Sequence, residues 1–464
     1  MKPCVCGIDL GTSSVKLLCR YADGTVSKAR ESYDSIGCDH WWQAVWKVLA
    51  QADCSDILAI GLSAQVGTYI VDGRKIISWN EPAGRETLAE IQAAFPVEQF
   101  IAEIAMPHPP LVSYPLPRLL HIKRQWPDFR FVCQPKDFLC AKLTGKYVTD
   151  PYSWRGLAHT PKGRYSDFFL NYLGIDPQRL PAMADVLSPA GFVTAEAAAE
   201  TGLTPGIPVF TGCNDFFAGL LGVGIWQIGE VFDITGTSEH VGLLTDQLIP
   251  DTKMVCGPFF HEIVHYGVTA SSGASLDFSR KLFDGQDLDI GRELARRPPI
   301  FLPYLNGERA PIWDANAKGV FMGIGAECSS ADLAYAVLEG VAFSLYQIFG
   351  NLGPKSCDQT PQILITAGGA ARDPVLNTIK AEIFGRAIQT LAENDTSALG
   401  AAMIAAVGQG WYPTLPDAQK ALVAVSGTVM PSGRFTEIFK QRFQIYQSLY
   451  PALKGQFAAW ERVI

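Results

Sequence analysis

Two short runs in this chain hold residue types suited to gripping phosphate. The first, Asp9-Leu10-Gly11-Thr12-Ser13-Ser14, leads to Lys16. Glycine at a hairpin tip lets backbone N–H groups approach an anion, and Thr12 and Ser13 add hydroxyl donors. Asp9, at a strand end, suits Mg2+ held through water, because that ion sheds its hydration shell reluctantly. Lys16 would offset phosphate charge. An ordinary hairpin, whose Asp and Ser satisfy turn N–H groups, would use the same residue types. The second run, Thr235-Gly236-Thr237-Ser238, repeats Gly-Thr-Ser about half a chain later, again between strand-like stretches. That echo predicts two similar domains facing one cleft.

A third candidate is Thr211-Gly212-Cys213-Asn214-Asp215-Phe216-Phe217. An Asp following a strand and opening a helix sits where open α/β folds bind ligands, and its carboxylate can take a proton from a hydroxyl. Asn214 or Asp215 would serve equally well as a helix cap. Trp79-Asn80-Glu81 with Arg85 forms a polar-aromatic cluster able to hydrogen-bond a polyol and stack on its apolar face; an exposed loop would look the same. His261-Glu262-Ile263-Val264-His265 matches the zinc-protease pattern H-E-x-x-H. Its Phe, Ile, Val and Tyr neighbours favour a strand, where residues four apart lie about 13 Å from each other, too far for one zinc. We read that match as coincidence. No Walker-A run and no GxGxxG after the first strand occur, so nucleotide binding here would not use P-loop or Rossmann chemistry.

The elements that must position these residues follow from periodicity. Residues 5–10, 15–21 and the stretch beyond Asp23-Gly24 read as strand, turn, strand, turn, strand. Trp42, Val45, Trp46 and Leu49 have helical spacing, and 57–62 returns to strand. The Pro-rich and aromatic stretch 95–190 reads as loops and short helices inserted around a sheet. Strands resume at 208–211, 230–234, 241–244 and 363–366. A helix over 331–349 is capped by Ser329, Ser330 or Asp332, and further helices lie near 374–384 and 397–407. Alternating helices and strands predict an α/β protein with buried sheets.

The chain has 464 residues, enough for two or three domains with real cores. With 48% hydrophobic and 18% charged residues it is neither disordered nor fibrous. A net charge of −8 argues against nucleic acid as a partner without excluding a small phosphorylated ligand. Eleven scattered Cys without a CxxC pair fit a reducing cytosol. The apolar stretches 217–226 and 397–407 are too short to span a bilayer, and the first residues leave no room for a signal-peptide core. The expectation is a cytoplasmic protein with neither a membrane nor a nucleic-acid partner.

Together these segments resemble the FGGY carbohydrate kinases, most of all their xylulokinase-like branch. Gly7 to Lys16 looks like the family's first phosphate motif, and Thr235-Gly236-Thr237-Ser238 like the second. Gly212 to Gly224 looks like the segment holding the catalytic Asp, here Asp215. Leu302-Pro303-Tyr304-Leu305-Asn306-Gly307-Glu308-Arg309-Ala310-Pro311 through Gly319-Val320-Phe321 is similar to a specific family signature. Thr366 to Arg372, with Gly368, Gly369 and Ala370, and then Asn377, looks like the adenosine-binding segment.

The resemblance implies two actin/hexokinase-like (ribonuclease H-like) domains with a central cleft, residues 1–245 binding sugar and 246–464 binding ATP. It implies that Asp215 is the base. Asp9 with Mg2+, Gly11, Thr12, Ser13, Lys16, Gly236, Thr237, Gly368, Gly369, Ala370 and Asn377 would hold the nucleotide. Gln65, Trp79, Asn80, Glu81, Asn214, Asp215 and Phe216 would line the substrate site. A small sugar or polyol, foremost a ketose such as a xylulose-like or ribulose-like pentulose, is the expected acceptor, and a homodimer the expected assembly, since dimers are common among relatives. Three departures bear on the acceptor. Gln65-Val66-Gly67-Thr68 stands where xylulokinases carry Gln-Met-His-Gly, Glu81 and a displaced Arg85 replace their Asp and Arg, and Phe216 replaces an amide. Loss of those donors and acceptors counts against D-xylulose itself. A catalytically silent sensor on the same fold is the rival reading, motivated by those departures and opposed by intact Asp9, Asp215 and both Gly-Thr-Ser turns.

Overall fold

The computed structural model describes residues 2–52, 56–109, 111–236, 238–250, 253–283, 285–352 and 363–463. The chain forms two compact units. Unit 1 comprises Met1–Gly224, Gly257–His261 and Asp395–Val423; unit 2 comprises Ile225–Cys256, Glu262–Asn394 and Ala424–Ile464.

In unit 1 the strands are β1 (Cys4–Leu10), β2 (Ser14–Tyr21), β3 (Val26–Ser32), β4 (Ile57–Ala64), β5 (Pro189–Phe192) and β6 (Pro208–Asn214), in sheet order β5-β6-β4-β1-β2-β3. β1, β4 and β6 are parallel to one another, while β2, β3 and β5 are antiparallel to their neighbours. Every β1 residue is buried, as expected for a central strand covered on both faces, whereas β3 at the edge alternates exposed and half-buried. Helix α1 (Cys38–Leu49) turns Trp41, Trp42, Val45, Val48 and Leu49 into the core. The segment 95–190 carries short helices at Val97–Ile104, Pro115–Gln125 and Pro135–Thr144 and a separate apolar cluster around Tyr69, Phe100, Trp154 and Phe169.

Unit 2 repeats the plan. Its strands are β7 (Val231–Thr235), β8 (Glu239–Thr245), β9 (Glu262–Val268), β10 (Ile363–Gly368), β11 (Ala387–Leu391) and β12 (Val425–Val429). Six neighbours in its seven-stranded sheet run β12-β11-β10-β7-β8-β9, with the same succession of parallel and antiparallel pairs as unit 1. The Gly-Thr-Ser echo therefore marks a duplicated sheet, β1–β2 corresponding to β7–β8. A helix at Ser330–Phe349 opens with the expected cap: Ser329 Oγ accepts from Asp332 N, and Asp332 Oδ2 accepts from Ser329 N at 2.7 Å.

The division differs from the expected boundary at 245. Residues 231–245 are the first hairpin of the second sheet, so unit 2 begins at Ile225. The helix expected near 397–407, Thr396–Gly408, belongs to unit 1 rather than to the C-terminal half. It lies so close to β1 and β4 that a Cβ on Gly7 would meet Ala398 O at 2.0 Å, and one on Gly61 would meet Ala401 O at 1.9 Å. Only glycine leaves room for a helix backbone at that distance.

Candidate functional site

The carboxyl ends of three adjacent parallel strands, β1, β4 and β6, carry the unit 1 candidates. Asp9 on β1 is the register partner of Ser63 on β4, whose Oγ donates to Asp9 Oδ1 at 3.0 Å. Burial pushes the Asp9 carboxyl up; Lys16 and Ser63 oppose this, and the charge of Asp395 adds to it. Gly11 N donates to Ser14 O at 3.0 Å, closing the turn, and leaves Thr12 and Ser13 exposed. The Gly11 carbonyl accepts from Tyr33 Oη and from Gln65 Nε2. Lys16 lies opposite Asp9 on β2, but its Nζ pairs with Asp395 at 3.0 Å.

Asp215 opens helix α2 (Asp215–Val223) at the end of β6. The helix-cap reading holds for Asn214, and Asp215 is the first helical residue. Asn214 is the cap: its Oδ1 accepts from Phe217 N at 3.1 Å, and its Nδ2 donates to Tyr152 O at 2.9 Å. Asp215 is left half-buried, with Oδ1 accepting from Phe216 N at 2.9 Å. Burial, then the charge of Asp9, raises its carboxyl to about 7, against the opposing pull of backbone N–H groups and Lys16. Beneath it, buried Lys136 donates to Thr211 O at 3.0 Å and pairs with Asp150 at 3.1 Å, fixing the strand from below. Ser397 Oγ donates to Asp215 O at 3.0 Å from the Thr396–Gly408 helix.

A hydrogen-bond chain links the first turn to the aromatic cluster. Gln65 Oε1 accepts from Thr68 Oγ1 at 3.3 Å, and Thr68 Oγ1 accepts from Trp79 N at 3.2 Å. Gln65 is 2% exposed, and its amide braces Gly11 and Thr68. The same holds for Asn214, whose amide is used within the fold. Trp79 is half-buried, Asn80 and Glu81 are exposed, and buried Arg118 donates to the carbonyls of Ser78 and Glu81. Phe216 is half-buried, edge-on to Phe217 at 5.3 Å.

In unit 2, Gly236 is exposed and donates to Ser238 O at 2.7 Å; Thr237 lies outside the described residues. Gly368, the last residue of β10, has φ +92° and is the register partner of Thr235, whose carbonyl a Cβ would meet at 2.0 Å. A pocket of about 450 Å³ opens beside it, lined by Gly369, Arg372, Asp373, Arg280 and Leu288 among others. Ala370 is buried in the short turn Ala370–Arg372. Asn377 is also buried, and its Nδ2 donates to Ala371 O at 2.8 Å, so it braces that turn and does not face the pocket as expected. His261 lies in the turn before β9 and His265 is buried within it, which removes the zinc-protease geometry.

Sequence reasoning missed Ser63, Tyr33, Asp395 and Ser397, which hold Asp9, Gly11, Lys16 and Asp215 from distant segments. No spacing rule connects them. Arg280 on the helix Ser272–Phe283 was missed for the same reason.

Residues 4–222 match the N-terminal domain, and residues 233–409 the C-terminal domain, of the FGGY family of carbohydrate kinases. The chain is 28% identical to the xylulose kinase of Lactococcus lactis subsp. lactis strain IL1403, over 96% of each chain. Its fold is that of a xylulose kinase from Lactobacillus acidophilus, with TM-score 0.85 and 21% identity over 99% of this chain and 100% of the other. A gluconate kinase from the same organism gives TM-score 0.84 and 21% identity, with the same coverage. Matched through both domains, and folded as a pair of duplicated sheets of the actin/hexokinase type, this chain belongs to the FGGY family of carbohydrate kinases.

Proposed function

We propose that this carbohydrate kinase transfers the γ-phosphoryl group of ATP to a hydroxyl of a small ketose, a xylulose-like or ribulose-like pentulose, with Asp215 as the base. The observation that carries the proposal is the Asp215 carboxyl. It is held near neutrality at about 7, at the end of a strand, beside a second carboxylate on the adjacent strands. Raised to about 7, it is matched to taking a hydroxyl proton while remaining largely ionised above neutrality. Asp215 orients the acceptor hydroxyl and takes its proton late, as the oxygen attacks the γ-phosphorus and the bond to ADP breaks.

Asp9 would hold Mg2+. The residues fit: Asp9 and Asp215 are each raised by burial, and the charge of Asp9 raises Asp215 further, a combination that a divalent cation relieves. When bound, the ion would supply positive charge to offset that of the phosphates. The exposed Thr12 and Ser13 hydroxyls and the N–H groups of both glycine turns are suited to phosphate oxygens, and the pocket at Gly369 and Arg372 to the nucleoside. Trp79, Asn80, Glu81 and Phe216 are the exposed or half-buried members of the substrate set, and an apolar Phe216 favours an acceptor with fewer hydroxyls to satisfy at that point.

No described helix is long and apolar enough to cross a membrane, and the described cysteines form no disulfide. Both features support a cytoplasmic enzyme. The test is ADP release from Mg-ATP across ketoses, polyols and sugar acids, with Asp215→Ala as the blank. A pentulose turned over by the wild type and not by the variant is the expected result. Turnover confined to sugar acids or glycerol would overturn the pentulose assignment.

A further inference from the structure

The duplicated sheets place two acidic residues in equivalent positions with different fates. In unit 1, Asp9 on β1 faces Ser63 across the parallel pair, and Ser63 Oγ donates to it. In unit 2, Asp233 on β7 faces Thr366 across the corresponding pair, and Thr366 Oγ1 donates to it at 3.0 Å. Asp9 otherwise feels the fields of Lys16 and of Asp395, which pair with each other. Asp233 is bonded directly by an ammonium: Lys380 Nζ lies 2.6 Å from Asp233 Oδ2 and 2.7 Å from Glu239 Oε1. Lys380 sits on the helix Pro374–Phe384 that follows the Gly368–Arg372 segment, and it is fully buried.

Glu239 is the residue immediately after the second glycine turn and the register partner of Thr235 before it. Its Oε1 accepts from Thr235 Oγ1 at 2.6 Å, tying the two ends of the turn together. Its Oε2 accepts from Ser272 Oγ, the first residue of the helix that carries Arg280 into the pocket. One lysine thus reaches both strands of the hairpin, and through Glu239 the helix bearing a pocket arginine. Burial alone would lower the Lys380 ammonium, and the two carboxylates more than reverse that. Burial would likewise raise Glu239, and Lys380 with the surrounding donors holds it down to about 2. Lys380 and Glu239 are thus ionised and joined by a charge-assisted hydrogen bond, while burial and the charge of Glu239 push the Asp233 carboxyl well above its ordinary range.

We propose that Lys380 and Glu239 are positioning residues for the nucleotide. They lock the second glycine turn to the helix that follows the adenosine segment, so that the turn's donors are set before ATP arrives. The inference rests on the kinase reading given above. It predicts that breaking the network weakens nucleotide binding selectively, because the turn it holds lies in unit 2 and the candidate substrate residues lie in unit 1.

The experiment compares Lys380→Met and Glu239→Gln in the full chain with wild type. Calorimetry of Mg-ATP binding and KM for both substrates are measured beside thermal unfolding. Glu239→Gln changes one oxygen to an amide and keeps the fold accessible should Lys380→Met misfold. Arg442→Met serves as a stability-matched control, since Arg442 pairs with buried Glu339 at 2.5 Å in the same unit, away from the turn. Expected are a rise of about tenfold or more in the ATP dissociation constant and KM for both network variants, KM for the sugar within twofold, and ATP affinity unchanged in Arg442→Met. Equal ATP affinity in wild type and Glu239→Gln would overturn the inference, as would a loss shared by both substrates and by Arg442→Met in step with stability. Wild type that binds no ATP would instead overturn the kinase reading itself.

Discussion

Asp215→Asn should make this protein more stable while disabling it. The Asp215 carboxyl is raised from 3.8 to about 7 in the folded chain. A difference of about three pH units corresponds to about 4 kcal/mol between ionised and neutral forms. Because Asp215 is half-buried, solvent screening reduces the expected effect to about 2 kcal/mol. The sign follows from proton binding. Between about pH 4 and 7 the folded state holds the proton and the unfolded state has released it, so stability falls as pH rises through that window. Above about pH 7 the full destabilisation is present; below about pH 4 there is none.

Asparagine matches the carboxylate in shape, keeps an oxygen to accept from Phe216 N, and cannot ionise. Asp215→Asn is therefore expected to unfold about 4–8 °C higher than wild type at pH 8, with the gain shrinking as pH drops towards 5. Phosphoryl transfer should fall by about two to four orders of magnitude, the usual contribution of a positioned base. Thermal unfolding at pH 8, 6.5 and 5.5, beside ADP release, checks both halves. A variant no more stable than wild type at pH 8, or one whose gain does not depend on pH, would refute the account of Asp215 as a destabilised carboxylate.

Three further outcomes follow from the same geometry. Asp9→Asn removes the charge that, after burial, most raises Asp215, so the acid limb of kcat/KM should move to lower pH by about one unit while KM for Mg-ATP rises; an unmoved limb in a pH–rate series would contradict this. Gly212→Ala places a Cβ 1.8 Å from Leu62 O at a residue with φ +65°, so it should destabilise unit 1 by about 2–4 kcal/mol in denaturant titration and distort the strand leading to Asp215. His261→Ala, in a turn and unconnected to a second ligand, should leave turnover within twofold and zinc content by elemental analysis unchanged at background.

Much of the fold was legible because its signals are local. The opening hairpin, the strand before Asp215, the Ser329 cap and the helix it starts are written in residues close together in the chain. The Gly-Thr-Ser echo, though only three residues long, marked a true duplication because both copies sit at the same place in the sheet. What escaped depends on contacts between distant segments. The helix Thr396–Gly408 is apolar almost all round, so periodicity did not show which sheet it covers. It joins unit 1 because Gly7 and Gly61 clear a path for its backbone. Gln65, Asn214 and Asn377 have amides that could face a ligand or the fold, and composition does not distinguish the two. A backbone carbonyl claims each amide, from a distant segment for Gln65 and Asn214 and from the preceding turn for Asn377. Lys380 did leave a trace. With Leu376 and Ile383 it forms an i, i+4, i+7 stripe on an apolar helix face, where a lysine demands a buried partner.

The two hairpins show how one duplicated frame supports different chemistry. In unit 1 the carboxylate on the first strand accepts from a hydroxyl and, among the described residues, no ammonium bonds it, which leaves it open to a cation. In unit 2 the equivalent carboxylate is bonded by Lys380, and the acidic residue beyond the turn is tied down with it. A carboxylate already bonded by an ammonium inside the fold has little left to offer a metal ion. The proposed metal site therefore falls to the hairpin whose carboxylate lacks that ion pair, and the other hairpin is proposed to hold phosphate through its backbone. The site's polarity thus follows from where one lysine sits on one helix, and not from any difference in the order of strands.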